Sequence, residues 1–233
     1  PLHPSIQEIA GFMPFSVVNY TVEDSYVDVG DDAVAIMSGP DYDPVRGPPH
    51  VAASSQPTRS VTLRRIFVRG RSVAIGSEDF GNVTNVLIED STIGDTAGSC
   101  PWAFKIKMHS NIGAHVSDIM LRNITLGRIA PNTWQQPKGG TAFYMALSYN
   151  DPPLNASRPQ PHISNISFIN VHATSAVVAG QFDGSVLSAI QGLHFANVTL
   201  PGARPWVLNY VDRASCSAVA TSPPLPSSPV RLA

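Results

Sequence analysis

Asp31 and Asp32 stand side by side after Gly30 and ahead of a short apolar run, Ala33-Val-Ala-Ile-Met37. Two carboxyl groups in one groove raise each other's proton affinity, so that one stays protonated and donates while the other accepts. That is the equipment of general acid–base catalysis. Neighbouring side chains on a regular strand point to opposite faces, so both acids serve one groove only if the backbone bends at the pair. Gly30 supplies that freedom, because it tolerates dihedrals that side chains forbid. Gly-Asp-Asp is also an ordinary turn sequence, and a surface turn is the reading that these residues allow without chemistry.

The other reactive residue types are scattered. The seven histidines show no metal-ligand spacing, Gly94 to Gly98 lacks the lysine of a phosphate loop, and Arg64 and Arg65 read as solvated. Cys100 and Cys216 are far apart in sequence, which says nothing of their distance in space, so their pairing stays open. Charged residues make up 14 % of the 233 residues and the formal net charge is -2. This balance speaks against nucleic acid or an anionic membrane as partner, and no apolar run approaches the roughly 20 residues of a membrane helix. A soluble chain, expected to be a monomer, is the reading. Asn-x-Ser/Thr acceptors at Asn19, Asn82, Asn123, Asn155, Asn165 and Asn197 fit a secreted glycoprotein of the extracellular space or cell wall. Asn and Thr would recur equally if strands and turns repeat. Pro1 follows no leader, so a signal peptide is expected to have been removed or to lie upstream of a fragment.

The elements that would position the acids form a repeat. Six segments alternate apolar residues, turn, and take a second apolar step, and their central residues are Val22, Leu63, Ile88, Leu121, Phe168 and Phe195. Their spacing is in the range of solenoids and propellers. Each unit reads as a period-two strand, a bend at Asn, Asp or Arg, and a β-branched strand, with no helical periodicity. Such a unit buries its apolar face only by stacking on copies of itself. The pattern predicts an all-β, right-handed parallel β-helix; a propeller needs hairpin turns that are scarce here. Three stretches depart from it. Residues 39–60 and 130–162 are expected to be loops that wall a groove, the second carrying Trp134, Phe143, Tyr144 and Tyr149. Residues 1–213 are read as the β-helix domain and 214–233 as a Ser/Pro-rich disordered tail.

With a solenoid expected, Gly30-Asp-Asp-Ala-Val-Ala-Ile-Met-Ser-Gly39, Val73-Ala-Ile-Gly-Ser-Glu78, and Phe104-Lys-Ile-Lys-Met108 with Asn111-Ile-Gly113 resemble the ordered signature of the polygalacturonases of glycoside hydrolase family 28, in its plant-type branch. The resemblance runs from about Glu8 to about Leu200. It implies a pectin-lyase-like, single-stranded parallel β-helix that hydrolyses α-1,4-galacturonosidic bonds of pectin with inversion and without a cofactor. It implies Asp31 as the acid that protonates the leaving oxygen and Asp32 as one half of the base.

It also implies an upstream aspartate as the other half of the base, a position held here by Ala10; Glu8 and Glu78 are the nearby acids that offer themselves as substitutes. The histidine of the family's Gly-His-Gly element is missing from Arg69-Gly-Arg-Ser72. The Arg-Ile-Lys motif that grips a uronate carboxylate appears as Lys105-Ile-Lys107, which keeps the charge at Lys105 but loses arginine's planar fork. Asp31 and Asp32 are therefore the expected catalytic residues, and Lys105 and Lys107 the expected ligands of an acidic polysaccharide. Without the resemblance the lysines read as a solvated strand edge. The alternative to a hydrolase is a weakened or silent homologue that binds wall glycan; a lyase would need a calcium site for which the sequence offers only the aspartate pair.

Overall fold

The computed structural model describes residues 10–39, 56–95, 100–131, 139–149 and 152–221. Thirteen strands and no helix occur among them: β1 Val18–Asp28, β2 Val34–Ser38, β3 Thr58–Arg69, β4 Val73–Asp79, β5 Val83–Ile93, β6 Trp102–Lys107, β7 His115–Ile129, β8 Thr141–Ala146, β9 His162–Ala176, β10 Val178–Asp183, β11 Ile190–Leu200, β12 Val207–Asn209 and β13 Val211–Thr221. They alternate between two sheets, ordered β1-β3-β5-β7-β9-β11-β13 and β12-β10-β8-β6-β4-β2. Neighbours within each sheet run parallel. Each turn of the chain thus leaves one strand in either sheet before starting the next coil, in the right-handed sense that parallel crossovers prefer. The chain is a right-handed parallel β-helix.

The predicted central residues form one continuous column. Val22 pairs with Leu63, Leu63 with Ile88, Ile88 with Leu121, Leu121 with Phe168 and Phe168 with Phe195. All six are buried. The opposite sheet answers with Ile36, Ile75, Ile106, Met145, Phe182 and Leu208, likewise stacked in register. The two inward faces close a core in which the Phe168 ring lies 4.2 Å from that of Phe143 and 5.0 Å from that of Phe195.

The bends also fall where Asn, Asp and Arg were expected. Asp24, Arg65, Asp90, Asn123, Asn170 and Asn197 adopt positive φ, a conformation that Asn and Asp tolerate better than other side chains. Their stacked side chains form a ladder. The amide of Asn123 donates to Asp90 at 2.9 Å, Asn170 to Asn123 at 3.0 Å and Asn197 to Asn170 at 2.9 Å. Asn19 and Asn165 occupy a second left-handed corner. Four of the six glycosylation acceptors, Asn19, Asn123, Asn165 and Asn197, therefore have a backbone reason to be asparagine.

Two expectations change. The stretch 130–162 is not wholly a loop: it contains β8, with Phe143 inward and fully buried and Tyr144 outward, whereas Trp134 lies outside the described residues. A six-residue strand flanked by prolines is too short to show its period. The tail boundary expected at 214 falls inside β13, whose residues pair with β11 as far as Thr221; on the last coil, ladder hydrogen bonds to one neighbour hold a strand that has little apolar content. Residues 222–233 and most of the loop expected at 39–60 lie outside the described residues. Cys100 is buried, Cys216 is exposed, and both are free.

Removing the ring at the centre of the column leaves a cavity that rigid coils cannot collapse to fill. Phe168→Ala is expected to lower unfolding stability by about 3–5 kcal/mol, read as a drop in the midpoint of a urea titration.

Candidate active site

β2, β4 and β6 lie side by side, and the segments that lead into β2 and β4, together with β6 itself, carry the polar groups of one groove. Its volume is about 760 Å³, and its lining includes Asp31, Asp32, Arg71, Trp102, Lys105, Lys107 and Tyr149. The four residues predicted to be functional are thus brought together. Both acids reach the groove, although Gly30 does not take a positive φ. β2 begins only at Val34, so the strict alternation of a strand does not yet apply to Asp31 and Asp32. The glycines that matter here are others. A Cβ on Gly70 would lie 2.6 Å from the Asp31 carbonyl oxygen, so Gly70 lets the next coil close against the acids. Gly76 has φ +89° and leaves room for the Lys107 carbonyl, which a Cβ would meet at 2.0 Å.

The two acids have different surroundings. Asp32 is buried, and its carboxylate is held from three sides: Lys105 Nζ stands 3.0 Å from Oδ1, Lys107 Nζ stands 2.9 Å from Oδ2, and the Ser72 hydroxyl donates to Oδ1. Burial works to raise its pKa, but the two ammonium groups and the hydroxyl outweigh burial and hold the carboxyl below its ordinary value. Asp32 is therefore an ionised acceptor. Burial pushes the Lys105 pKa down, with Asp32 opposing it. The Lys105 ammonium also lies 4.4 Å from the centre of the Trp102 ring, and that of Lys107 lies 5.6 Å from the centre of Tyr149, within the range of cation–π attraction. Asp31 is more open, its side chain 25 % exposed, and pairs with Arg71 at 3.2 Å.

Lys105 and Lys107 thus face Asp32 as well as the groove, so they are not the solvated edge that bare sequence allowed: their side chains are only 5 % and 10 % exposed. Sequence reasoning missed Arg71 as a groove residue, although it had placed Arg69 to Ser72 at the missing histidine. It missed Trp102 as well. The signal for both was position, since each stands just before or at the start of a strand in the sheet that bears the acids. Ala10 lines the groove and offers no carboxyl there. Glu8 lies outside the described residues, and Glu78 lies on β4. Among the described residues no group of His, Cys, Asp and Glu could hold a metal ion. Among the described residues no helix is long and apolar enough to cross a membrane.

Removing one charge from a buried cluster strands the others. Asp32→Asn leaves two ammonium groups facing each other out of water, and a loss of about 3–5 kcal/mol is expected in denaturant unfolding. The pH dependence follows from the lowered folded pKa. The stabilisation that Asp32 carries is fully present above the unfolded carboxylate value of about 3.9 and is lost as pH falls through the lower folded value. The wild-type protein should lose stability through that acid range more steeply than Asp32→Asn, as measured by urea titrations at a series of pH values.

The sequence model of glycosyl hydrolases family 28 matches residues 9–219. A probable polygalacturonase of Vitis vinifera is 28 % identical over 222 residues, 91 % of this chain and 41 % of the relative. A polygalacturonase of Ralstonia solanacearum is 29 % identical over 169 residues, 72 % of this chain and 27 % of the relative. Among solved structures, a hyperthermoactive exopolygalacturonase from Thermotoga maritima superposes with a TM-score of 0.72 at 20 % identity, covering 91 % of this chain and 43 % of that one. The chain spans less than half the length of these relatives. Its coils, its order of motifs and the reach of the family match from residue 9 to residue 219 agree, and the chain belongs to glycosyl hydrolases family 28.

Proposed function

We propose that this chain hydrolyses α-1,4-galacturonosidic bonds in pectin or a related acidic glycan, with inversion at the anomeric carbon. The observation that carries the reading is the convergence of Asp31 and Asp32 with Arg71, Lys105 and Lys107 in one groove of a family 28 fold. Asp31, the more open acid, protonates the glycosidic oxygen. Asp32, kept ionised by its lysines, accepts a proton from the attacking water on the opposite face, as inversion requires. Three cationic side chains against two carboxyl groups leave the groove with an excess of positive charge, which suits a polyanion. Lys105 and Lys107 meet a uronate carboxylate from the side of the groove on which they also hold Asp32, and Trp102 and Tyr149 offer ring faces to sugar C–H groups.

The extracellular space or the cell wall is the place where such a substrate is found, and secretion with glycosylation at the exposed turn of Asn155-Ala-Ser fits it. The resemblance provides a second carboxylate for water at the position of Ala10, so turnover here rests on Asp32 alone. Positioned general bases contribute about 10²–10⁴-fold.

Release of reducing ends from polygalacturonate between about pH 4 and pH 7, the range in which carboxyl groups divide acid and base roles, tests the reading. Slow release is expected from the wild-type chain, none from Asp31→Asn, and a gain of about 10²-fold or more from Ala10→Asp, with the product anomer inverted by NMR. Folded wild-type and Ala10→Asp proteins that both release nothing would refute the hydrolase. Oligogalacturonide binding that Lys107→Ala removes would then identify a glycan-binding homologue.

A further inference from the structure

The groove has two unlike ends. Residues 12–15 run one coil ahead of β2 and bond to it, with Ala35 N donating to Phe12 O at 2.9 Å and Met37 N to Pro14 O at 3.0 Å. Phe12 bridges Val34, and Phe15 bridges Met37. Val34 is fully buried in the core, so alternation turns Ala35 outward, beside Met13. Met13, Phe15, Ala35 and Met37 form the groove wall at this end together with Ala10, and Met13 is 55 % exposed.

Along the solenoid axis the same outward row continues from Ala35 to Ala74 and then to Lys105. The cations belong to this far end: Arg71 enters β4 and Lys105 and Lys107 lie on β6. Adjacent coils are about 4.8 Å apart, close to the length of one pyranose ring. Although Arg71 and the lysines are rooted two and three coils beyond residues 12–15, their charged ends reach back to the β2 coil, Arg71 to within 3.2 Å of Asp31 and Lys105 and Lys107 to within 3.0 and 2.9 Å of Asp32. A glycan laid along the axis therefore places one sugar against Met13 and Phe15 and the next where these cations converge on the two acids.

Those two sugars meet opposite chemistry. A free uronate carboxylate on the Met13 side would surrender hydration for apolar contacts, and among the described residues lining that end there is no cation to replace the lost water. A methyl ester removes the charge and adds a methyl group to bury. An O-acetyl group would bring a methyl but leave the carboxylate charged, so it answers only half of the requirement. On the other side, the surplus of cations calls for a carboxylate that is free.

We propose that the groove selects galacturonan in which a methyl-esterified residue adjoins a free one, the ester lying on Met13 and Phe15 and the free carboxylate at Arg71, Lys105 and Lys107. The proposal rests on the galacturonan reading above and adds to it the esterification pattern of the substrate. Burial of one methyl group corresponds to about fourfold in affinity, from about 0.8 kcal/mol per buried carbon, and the avoided burial of a charge adds to it.

Four galacturonate dimers, one unesterified, one fully methyl-esterified and the two mono-esters, are titrated into the full chain by NMR or calorimetry. One of the two mono-esters is expected to bind at least about fourfold more tightly than the unesterified dimer, and more tightly than the fully esterified one. Met13→Lys, at an exposed position that does not support the core, should abolish or reverse the preference for that mono-ester over the unesterified dimer, while Met13→Leu retains it. Equal binding of the unesterified dimer and both mono-esters, or an unchanged preference in Met13→Lys, overturns the proposal and leaves the galacturonan reading standing. No binding of any dimer would refute the galacturonan reading itself, and this proposal with it.

Discussion

In-register stacking of one coil on the next is the constraint from which the rest follows. A parallel ladder places equivalent residues of successive coils side by side, so a position that is apolar in one coil must be filled compatibly in the next. Val22, Leu63, Ile88, Leu121, Phe168 and Phe195 obey this on one sheet, and the Asp90–Asn123–Asn170–Asn197 ladder obeys it at the corner. Function uses the same geometry. The outward row of the second sheet is also a column, and the groove is that column with its side chains changed coil by coil from apolar to cationic.

Stacking also explains how two buried lysines are tolerated. Lys105 and Lys107 are two residues apart on β6 and so share a face, and both point toward the carboxylate that precedes β2. Asp32 accepts from both ammonium groups and from Ser72, which leaves no uncompensated charge of its own in the buried part of the groove. Truncating any member would break this balance, whereas the exposed cluster of Arg64 and Arg65 with Glu23 and Asp24 lies in water, where each pair contributes little.

Much of the fold was legible because one sheet has long strands. β1, β3, β5, β7, β9 and β11 each run eleven residues or more, enough to show period two, a bend and a second apolar step. The second sheet was harder to read, since β2, β6, β8 and β10 have five or six residues and are buried on both faces in places, which erases alternation. That is why β8 was lost within a proline-rich stretch. β13 was missed for another reason: Ala214, Cys216 and Val219 are small, and composition alone does not report backbone pairing to β11. At the site, Asp31 and Asp32 stood out as a pair of charges, and Lys105 and Lys107 only through the family resemblance. Arg71 did not, because a single arginine near a turn has no pattern, and Met13 and Phe15 did not, because an apolar residue facing a groove looks in sequence like one facing the core.

The lysine at 105 then has a geometric meaning. A guanidinium there would present two parallel donors and tend to occupy both oxygens of one carboxylate, and Lys107 would have to yield its place on Oδ2. Single-point donors divide the carboxylate instead, Lys105 taking Oδ1 and Lys107 taking Oδ2, and the compact ammonium of Lys105 also fits over the Trp102 ring. The planar fork is not lost from the groove. Arg71 carries it from the neighbouring coil, with 17 % of its side chain exposed and Asp31 as partner. The groove's arginine therefore stands one coil nearer the carboxyl pair than the family resemblance implies, where it pairs with Asp31 while the lysines hold Asp32.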